Sequence, residues 1–232
     1  MRLRSIVIGD IHGCDGALRE LLRLVKPDTG ADRLIFLGDL FDRGPASWEV
    51  LRDVKSLAAA FGERFTLLRG NHEDFLLREC LTLAERRMWN RVGRKATAAS
   101  FRAHGERMED CAPWLREHTV LFYKGEGFQC AHAGVAAEPI EENDPGTLMH
   151  DHEIVWCNEY AGPLTITGHI ALEDPAWFMG DGENMRWLHD DVEKPLPDRG
   201  VICIDTGCGK GGRLTAMVIE GGFFRLTSVP EE

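Results

Sequence analysis

Three short apolar runs rich in branched residues, Leu3–Ile8, Leu34–Leu37 and Phe65–Leu68, each break at a glycine followed by a carboxylate or an amide: Gly9-Asp10, Gly38-Asp39 and Gly70-Asn71. Between them the hydrophobic period changes from 2 to about 3.6. Strands are predicted near 3–8, 33–37 and 64–69, with helices near 15–26 and 46–61. Leu18, Leu21, Leu22 and Val25 stripe the first helix, and Pro27 with Gly30 closes it. A βαβαβ run of this kind restricts the chain to the α/β class. It also places three polar clusters at strand ends, where such folds build their sites.

The remainder divides in two. From Glu73 to about His118 strand-like alternation is absent, and Leu76, Leu77, Leu81, Leu83, Met88 and Trp89 predict two or three helices inserted at 73–118. Their cationic positions, Arg86, Arg87, Arg91, Arg94 and Lys95, read as a solvated helix face. Beyond residue 119 candidate strands fall at 119–123, 127–131, 164–167, 201–204, 214–219 and 223–228, with glycine turns between them. Residues 135–162 read as a loop with one short helix. No repeat or low-complexity tract interrupts residues 1–232, which are expected to form a single domain.

A net charge of -11 sets the chain against nucleic acid, because its global field repels phosphates. It would repel any phosphate ligand equally, so such a ligand needs locally concentrated cations. The seven cysteines are scattered and contain no Cys-x-x-Cys pair, which fits a reduced compartment and a cytoplasmic location. No stretch is long enough for a signal-peptide core or a membrane span.

The polar clusters carry ligands for two metal ions. Asp10 and His12 have the i, i+2 spacing that turns two side chains the same way on an extended backbone. Asp39 offers two carboxylate oxygens that could bridge neighbouring ions, Asn71 a neutral amide oxygen, and His132 and His169 imidazoles for the second ion. Mixed nitrogen and oxygen ligands without thiolates suit manganese, with iron or zinc as alternatives, over calcium. Such a pair could activate water between the ions for in-line displacement at phosphorus. Arg43 can fork onto phosphate oxygens, with Asn71 and Arg69 as further phosphate-binding candidates. His72, held by Asp42, can protonate the leaving group.

These residues fall in blocks that resemble the phosphoprotein phosphatase branch of the metallophosphoesterases, especially its bacterial and phage-type members. Gly9 to Gly13 is similar to GDxHG, Gly38 to Gly44 to GDxxDRG, Gly70 to Glu73 to GNHE and His132 to Gly134 to the HAG block, while Gly168-His169 resembles the later metal histidine. The resemblance implies that Asp10, His12 and Asp39 hold one metal and Asp39, Asn71, His132 and His169 the other. It gives Arg43 to phosphate and the Asp42–His72 pair to leaving-group protonation. It further implies a β-sandwich of mixed sheets flanked by helices, with the site at the strand ends. One departure stands out: the family's further phosphate-binding arginine has no counterpart, because residues 133–168 contain neither arginine nor lysine. The matching stretch reads Trp156-Cys157-Asn158, leaving Asn158, Arg186 or Arg213 as replacements.

Two substrates follow from the resemblance. The first is phosphoserine or phosphothreonine in a protein or peptide, favoured by Glu73 after Asn71-His72. The second is a nucleotide, since the symmetrical diadenosine tetraphosphate hydrolases share most blocks and a similar Asp205-Thr206-Gly207-Cys208 stretch. A non-catalytic binding module would have lost a ligand or the proton donor, and all are present. The surface reading takes His104, His118, His150, His152 and His189; Asp205-Thr206-Gly207 reads as a plain turn, and Cys14 as a packed thiol.

His72→Asn is expected to lower turnover by roughly 10² to 10⁴ while metal content survives, with a smaller effect on aryl phosphates, whose leaving groups need no proton. Asp39→Asn should instead lower metal occupancy. Steady-state rates on both substrate types, alongside elemental analysis, check the pair, and equal losses on both substrates count against the proton-donor role.

Overall fold

The computed structural model describes residues 4–231, so Leu3, the expected first residue of the first strand, lies outside the described residues. The chain begins β1 (Ser5–Ile8), α1 (Asp15–Val25), β2 (Arg33–Phe36), α2 (Ser47–Phe61) and β3 (Phe65–Leu68). Four helices follow: α3 (Asn71–Leu77), α4 (Leu83–Val92), α5 (Arg94–Ala103) and α6 (Ala112–His118). Then come β4 (Thr119–Val120), β5 (Phe122–Lys124), β6 (Gln129–Ala131), α7 (Pro145–His150) and α8 (Ile154–Cys157). The last strands are β7 (Thr165–Thr167), β8 (Ala176–Phe178), β9 (Met185–Trp187), β10 (Lys194–Pro195), β11 (Val201–Cys203), β12 (Arg213–Glu220) and β13 (Phe223–Pro230).

Two mixed sheets flanked by helices result. One runs β10-β13-β12-β1-β2-β3-β4 and the other β5-β6-β7-β11-β8-β9. β1, β2, β3 and β4 are mutually parallel, and β6, β7 and β11 are parallel in the second sheet. The apolar runs are continuous because these strands are covered on both faces. Ile6 and Ile8 of β1 turn to the helix side and pack with Leu18, Leu21, Val50 and Val54. Val7, pointing the other way, joins Ile166, Ile202 and Met217 between the sheets. Period 2 along one strand therefore feeds two cores.

The first half follows the sequence reading closely. Helix α1 buries Ala17, Leu18, Leu21 and Val25 and ends where Lys26 turns left-handed. Differences lie in the second half and in the insertion. The insertion has four helices, because Gly93 at φ 129° separates α4 from α5 and a capping box, Thr82 with Glu85, starts α4 afresh. The strand expected at 119–123 is two: Thr119–Val120 pairs with β3, and Phe122–Lys124 pairs with β6 in the other sheet. Residues 135–162 hold two short α-helices and a 3-10 turn at Ile140–Glu142, not one helix. Strands β8, β9 and β10 escaped the reading because two or three residues are too few to show a period. No helix among the described residues is long and apolar enough to cross a membrane.

The insertion packs on the loop that follows β2: Phe101 of α5, almost fully buried, lies with its ring centroid 6.2 Å from that of Phe41. Phe101→Ala should cost about 3–5 kcal/mol and lower the thermal midpoint by roughly 6–20 °C, at about 2–4 °C per kcal/mol for a chain of this size. Scanning calorimetry checks it; a drop of under about 2 °C would show that the insertion rests only loosely on that loop.

Candidate active site

The parallel strands of both sheets deliver their C-terminal ends to one place. Asp10 and His12 follow β1, Asp39, Asp42 and Arg43 follow β2, and Asn71 and His72 open α3 after β3. From the second sheet His132 follows β6, His169 follows β7 and Asp205 follows β11. The tight approach demands unusual backbone. His12, Asp39, Asp42, Arg43 and His169 all have φ between 48° and 70°, a left-handed conformation that costs side-chain-bearing residues energy and concentrates at functional sites. His12 therefore does not reach the site by strand alternation: β1 has ended at Ile8, and a turn does the aiming. Gly168 is required, since a Cβ there would lie 2.0 Å from Asp10 Oδ1.

Asp39 is the hub. Its Oδ2 lies 3.6 Å from His12 Nε2, 3.5 Å from His132 Nε2 and 3.9 Å from His72 Nε2, while Oδ1 accepts from the His72 backbone N–H at 3.0 Å. The tautomers are fixed from behind. His12 Nδ1–H donates to the Phe41 carbonyl and His132 Nδ1–H to the Leu37 carbonyl, each at 2.8 Å, so both Nε2 atoms face Asp39. Asn71 Oδ1 stands 3.2 Å from His132 Nε2 and 3.0 Å from His169 Nδ1. Asp10 Oδ2 accepts from the His169 backbone N–H at 2.9 Å. Its other oxygen, together with His12 Nε2 and Asp205 Oδ2, is buried without a hydrogen-bond partner.

Lone pairs thus converge with too few protons among them, an arrangement that a cation satisfies. Two overlapping sets, His12–Asp39–His72 and Asp39–His132–His169, each bring their ligand atoms within 4.8 Å of one another. The electrostatics agree. Burial drives the Asp10 carboxyl upward and neighbouring Asp205 adds to it, whereas Asp39 is held low despite burial by His132, His72 and His12. Burial opposes charge on His132, yet Asp39 lifts it to about 10: the carboxylate draws positive charge to Nε2, a place a metal ion would take in exchange for the proton. Burial and then His132 push His169 down to about 2, which leaves that imidazole neutral and free to ligate. The residues present fit two divalent cations sharing Asp39.

Beside this cluster His72 Nδ1 meets Asp42 Oδ2 at 2.7 Å. Burial opposes the His72 imidazolium, but Asp39 and Asp42 outweigh it and raise its proton affinity above the ordinary histidine range. Asp42 is itself gripped: Trp89 Nε1–H donates to Oδ2 at 2.7 Å and the Thr97 hydroxyl to Oδ1 at 2.6 Å. Trp89 and Thr97 come from the insertion and were not anticipated, because nothing in their local sequence marks them. Gly93 between their helices lets α4 and α5 close on this loop, since a Cβ there would meet Arg43 N at 2.1 Å. Glu73 is fully buried, accepting from the backbone N–H of Asp39, Leu40 and Gly70 at 2.8–2.9 Å. Burial, with Asp39 adding to it, raises its pKa to about 7.

Arg43 stands at the cluster with a buried Nη1 that has no partner. Arg69 turns elsewhere: its Nε–H donates to Thr119 Oγ1 at 3.1 Å, and among the described residues it makes no hydrogen bond or ion pair to the cluster. The three replacements for the missing arginine are otherwise engaged or placed. Asn158 Nδ2–H donates to Asn184 O and its Oδ1 accepts from Gly180 N–H, both at 2.8 Å; Arg213 holds Asp174 and the Glu173 carbonyl; Arg186 is exposed on β9. His152, read as a surface residue, is exposed and also brings Nε2 to 3.3 Å from His169 Nε2. Asp205, read as part of a plain turn, lies in the carboxylate group, 1% exposed. Asp-Thr-Gly directly after an apolar strand was the signal that could have found it.

A family model described as calcineurin-like phosphoesterase matches residues 3–204. A symmetrical bis(5'-nucleosyl)-tetraphosphatase of Methylococcus capsulatus is 38% identical over 92% of this chain and 91% of its own length. A protein of the same name from Coxiella burnetii is 34% identical over 65% of this chain, and that match spans about half of the relative's length. Among solved structures, a metallophosphoesterase from Sphaerobacter thermophilus superposes with a TM-score of 0.63, covering 99% of this chain and 88% of that one, at 15% identity, a likeness of fold alone. With strand ends, ligand cluster and family model all in register, this chain belongs to the calcineurin-like phosphoesterases.

Proposed function

We propose that this protein is a metal-dependent hydrolase of dinucleoside polyphosphates that splits a tetraphosphate symmetrically at a phosphoanhydride bond. The observation that carries the reading is the 38% identity to the Methylococcus capsulatus protein along nearly the whole of both chains, on a site whose ligand atoms converge around Asp39. The phosphoserine and phosphothreonine reading rested on glutamate after Asn71-His72. That glutamate is fully buried and holds three backbone amides, so its identity reports the packing of two loops and not the substrate.

Asp10, His12, Asp39, Asn71, His132 and His169 would hold two divalent cations, manganese being our choice. When bound, such ions supply Lewis acidity, a water acidified toward neutral pH and charge against the phosphate. The chain's own groups do the rest. Arg43, its guanidinium free of protein partners at Nη1, takes phosphate oxygens through its planar fork. His72, protonated and oriented by Asp42, gives its Nε2 proton to the oxygen of the departing nucleotide. Trp89 and Thr97 keep the Asp42 carboxylate on His72, so the insertion serves the proton donor from behind.

With manganese, kcat/KM for P1,P4-diadenosine tetraphosphate is expected to exceed that for a phosphoserine peptide by at least about tenfold, a transition-state difference of about 1.4 kcal/mol. Chromatographic separation of the products should show two ADP. A preference for the peptide overturns the proposal.

The acid has its own test. His72 is raised, so its acid form persists above the ordinary histidine value and is lost as pH climbs through the raised one. Asp42→Asn removes part of that support; the alkaline limb of kcat against pH should move to lower pH, and turnover should fall by roughly 10²-fold. An unmoved limb would remove His72 from the proton-donor role.

A further inference from the structure

Residues 133–168 carry no arginine or lysine, and Asn158, Arg213 and Arg186 do not fill the gap, yet a substrate with consecutive phosphates brings several negative charges. Lys210 stands where that charge could be met. It lies on the loop between β11 and β12, directly after Gly209, whose backbone rests on the site: a Cβ at Gly209 would lie 2.7 Å from His12 Cβ and 3.0 Å from Arg43 Cβ. Lys210 is exposed and makes no side-chain hydrogen bond or ion pair among the described residues. It borders an open groove of about 630 Å³ together with Leu172, Asp174, Gly207 and Arg213. Arg213, the other cation there, is already paired with Asp174.

We infer that Lys210 is a substrate-positioning cation that extends the Arg43 cradle outward and holds a phosphate beyond the one under attack, selecting a phosphoanhydride chain over a simple monoester. The inference rests on the dinucleoside polyphosphate reading for its natural substrate, but its chemistry asks only for contiguous phosphates. Two cations on loops that meet at Gly209, Arg43 at the ligand cluster and Lys210 beyond it, can grip neighbouring phosphates, whereas a monoester reaches only the first. Charge-assisted contacts of this kind are strong enough to appear in KM.

The test compares the manganese-loaded protein with Lys210→Met and Lys210→Arg. Lys210→Met should raise KM for P1,P4-diadenosine tetraphosphate about tenfold, with kcat within about twofold, while KM for p-nitrophenyl phosphate changes less than about twofold. Lys210→Arg should restore most of the loss. Calorimetric titration with inorganic tripolyphosphate reads the cradle without turnover and should show about tenfold weaker binding in Lys210→Met at equal metal content and thermal midpoint. Equal affinities for tripolyphosphate, or parallel changes on both substrates, overturn the role of Lys210. A wild-type protein that ignores the dinucleotide yet loses tripolyphosphate affinity on Lys210→Met overturns the substrate reading alone.

Discussion

Negative charge kept out of water is the constraint on which the rest of the structure depends. Asp10, Asp39 and Asp205 are each at most 2% exposed, and two of them end in oxygens with no donor. Burying carboxylates is costly unless positive charge is supplied. The fold meets that demand by bringing histidines from both sheets around Asp39 and by lining up their Nε2 lone pairs for cations. The same demand explains the strained backbone: five residues of the cluster take left-handed conformations, and the glycines beside them are sites where a Cβ would strike the neighbouring loop. Such strain persists only where surrounding packing holds it.

That packing comes from three directions. Beneath the site, strands covered on both faces give a rigid floor, with Ile6 and Ile8 against the helices and Val7 between the sheets. Beside it, buried Glu73 ties the start of α3 to the loop after β2 through three backbone amides. A carboxylate at this point acts as a clamp between two motif loops, so its presence is explained without any substrate. The insertion adds the third support. Trp89 and Thr97 leave Asp42 no freedom to swing away from His72, and Gly93 allows their helices to close on Arg43. A segment whose sequence reads as ordinary amphipathic helix thereby holds the Asp42–His72 pair in place.

The cationic side of the site is thinner than the anionic one. Arg43 is its innermost member, and Lys210 lies farther out on a loop that touches both His12 and Arg43 through Gly209. A cradle of two spaced cations suits a ligand whose charges are also spaced. The overall negative charge would then act against diffuse polyanions while the local field favours a short, dense one.

How much of this the sequence determined by itself follows from range. The βαβαβ start and the gathering of Asp10, His12, Asp39, Asn71, His132 and His169 were legible, because apolar period and glycine breaks are local signals and the ligand blocks recur in a fixed order; the two mixed sheets followed only from the family resemblance of those blocks. Arg69 shows why adjacency to a motif does not set direction: its Nε–H turns to Thr119. Tertiary structure alone decided where Trp89, Thr97, Glu73 and His152 make their contacts, and that Asn158 faces the 180–184 loop. Trp89 and Thr97 meet Asp42 from 47 and 55 residues away. Contacts at that separation are set by how whole helices pack, and no short stretch of sequence records that packing.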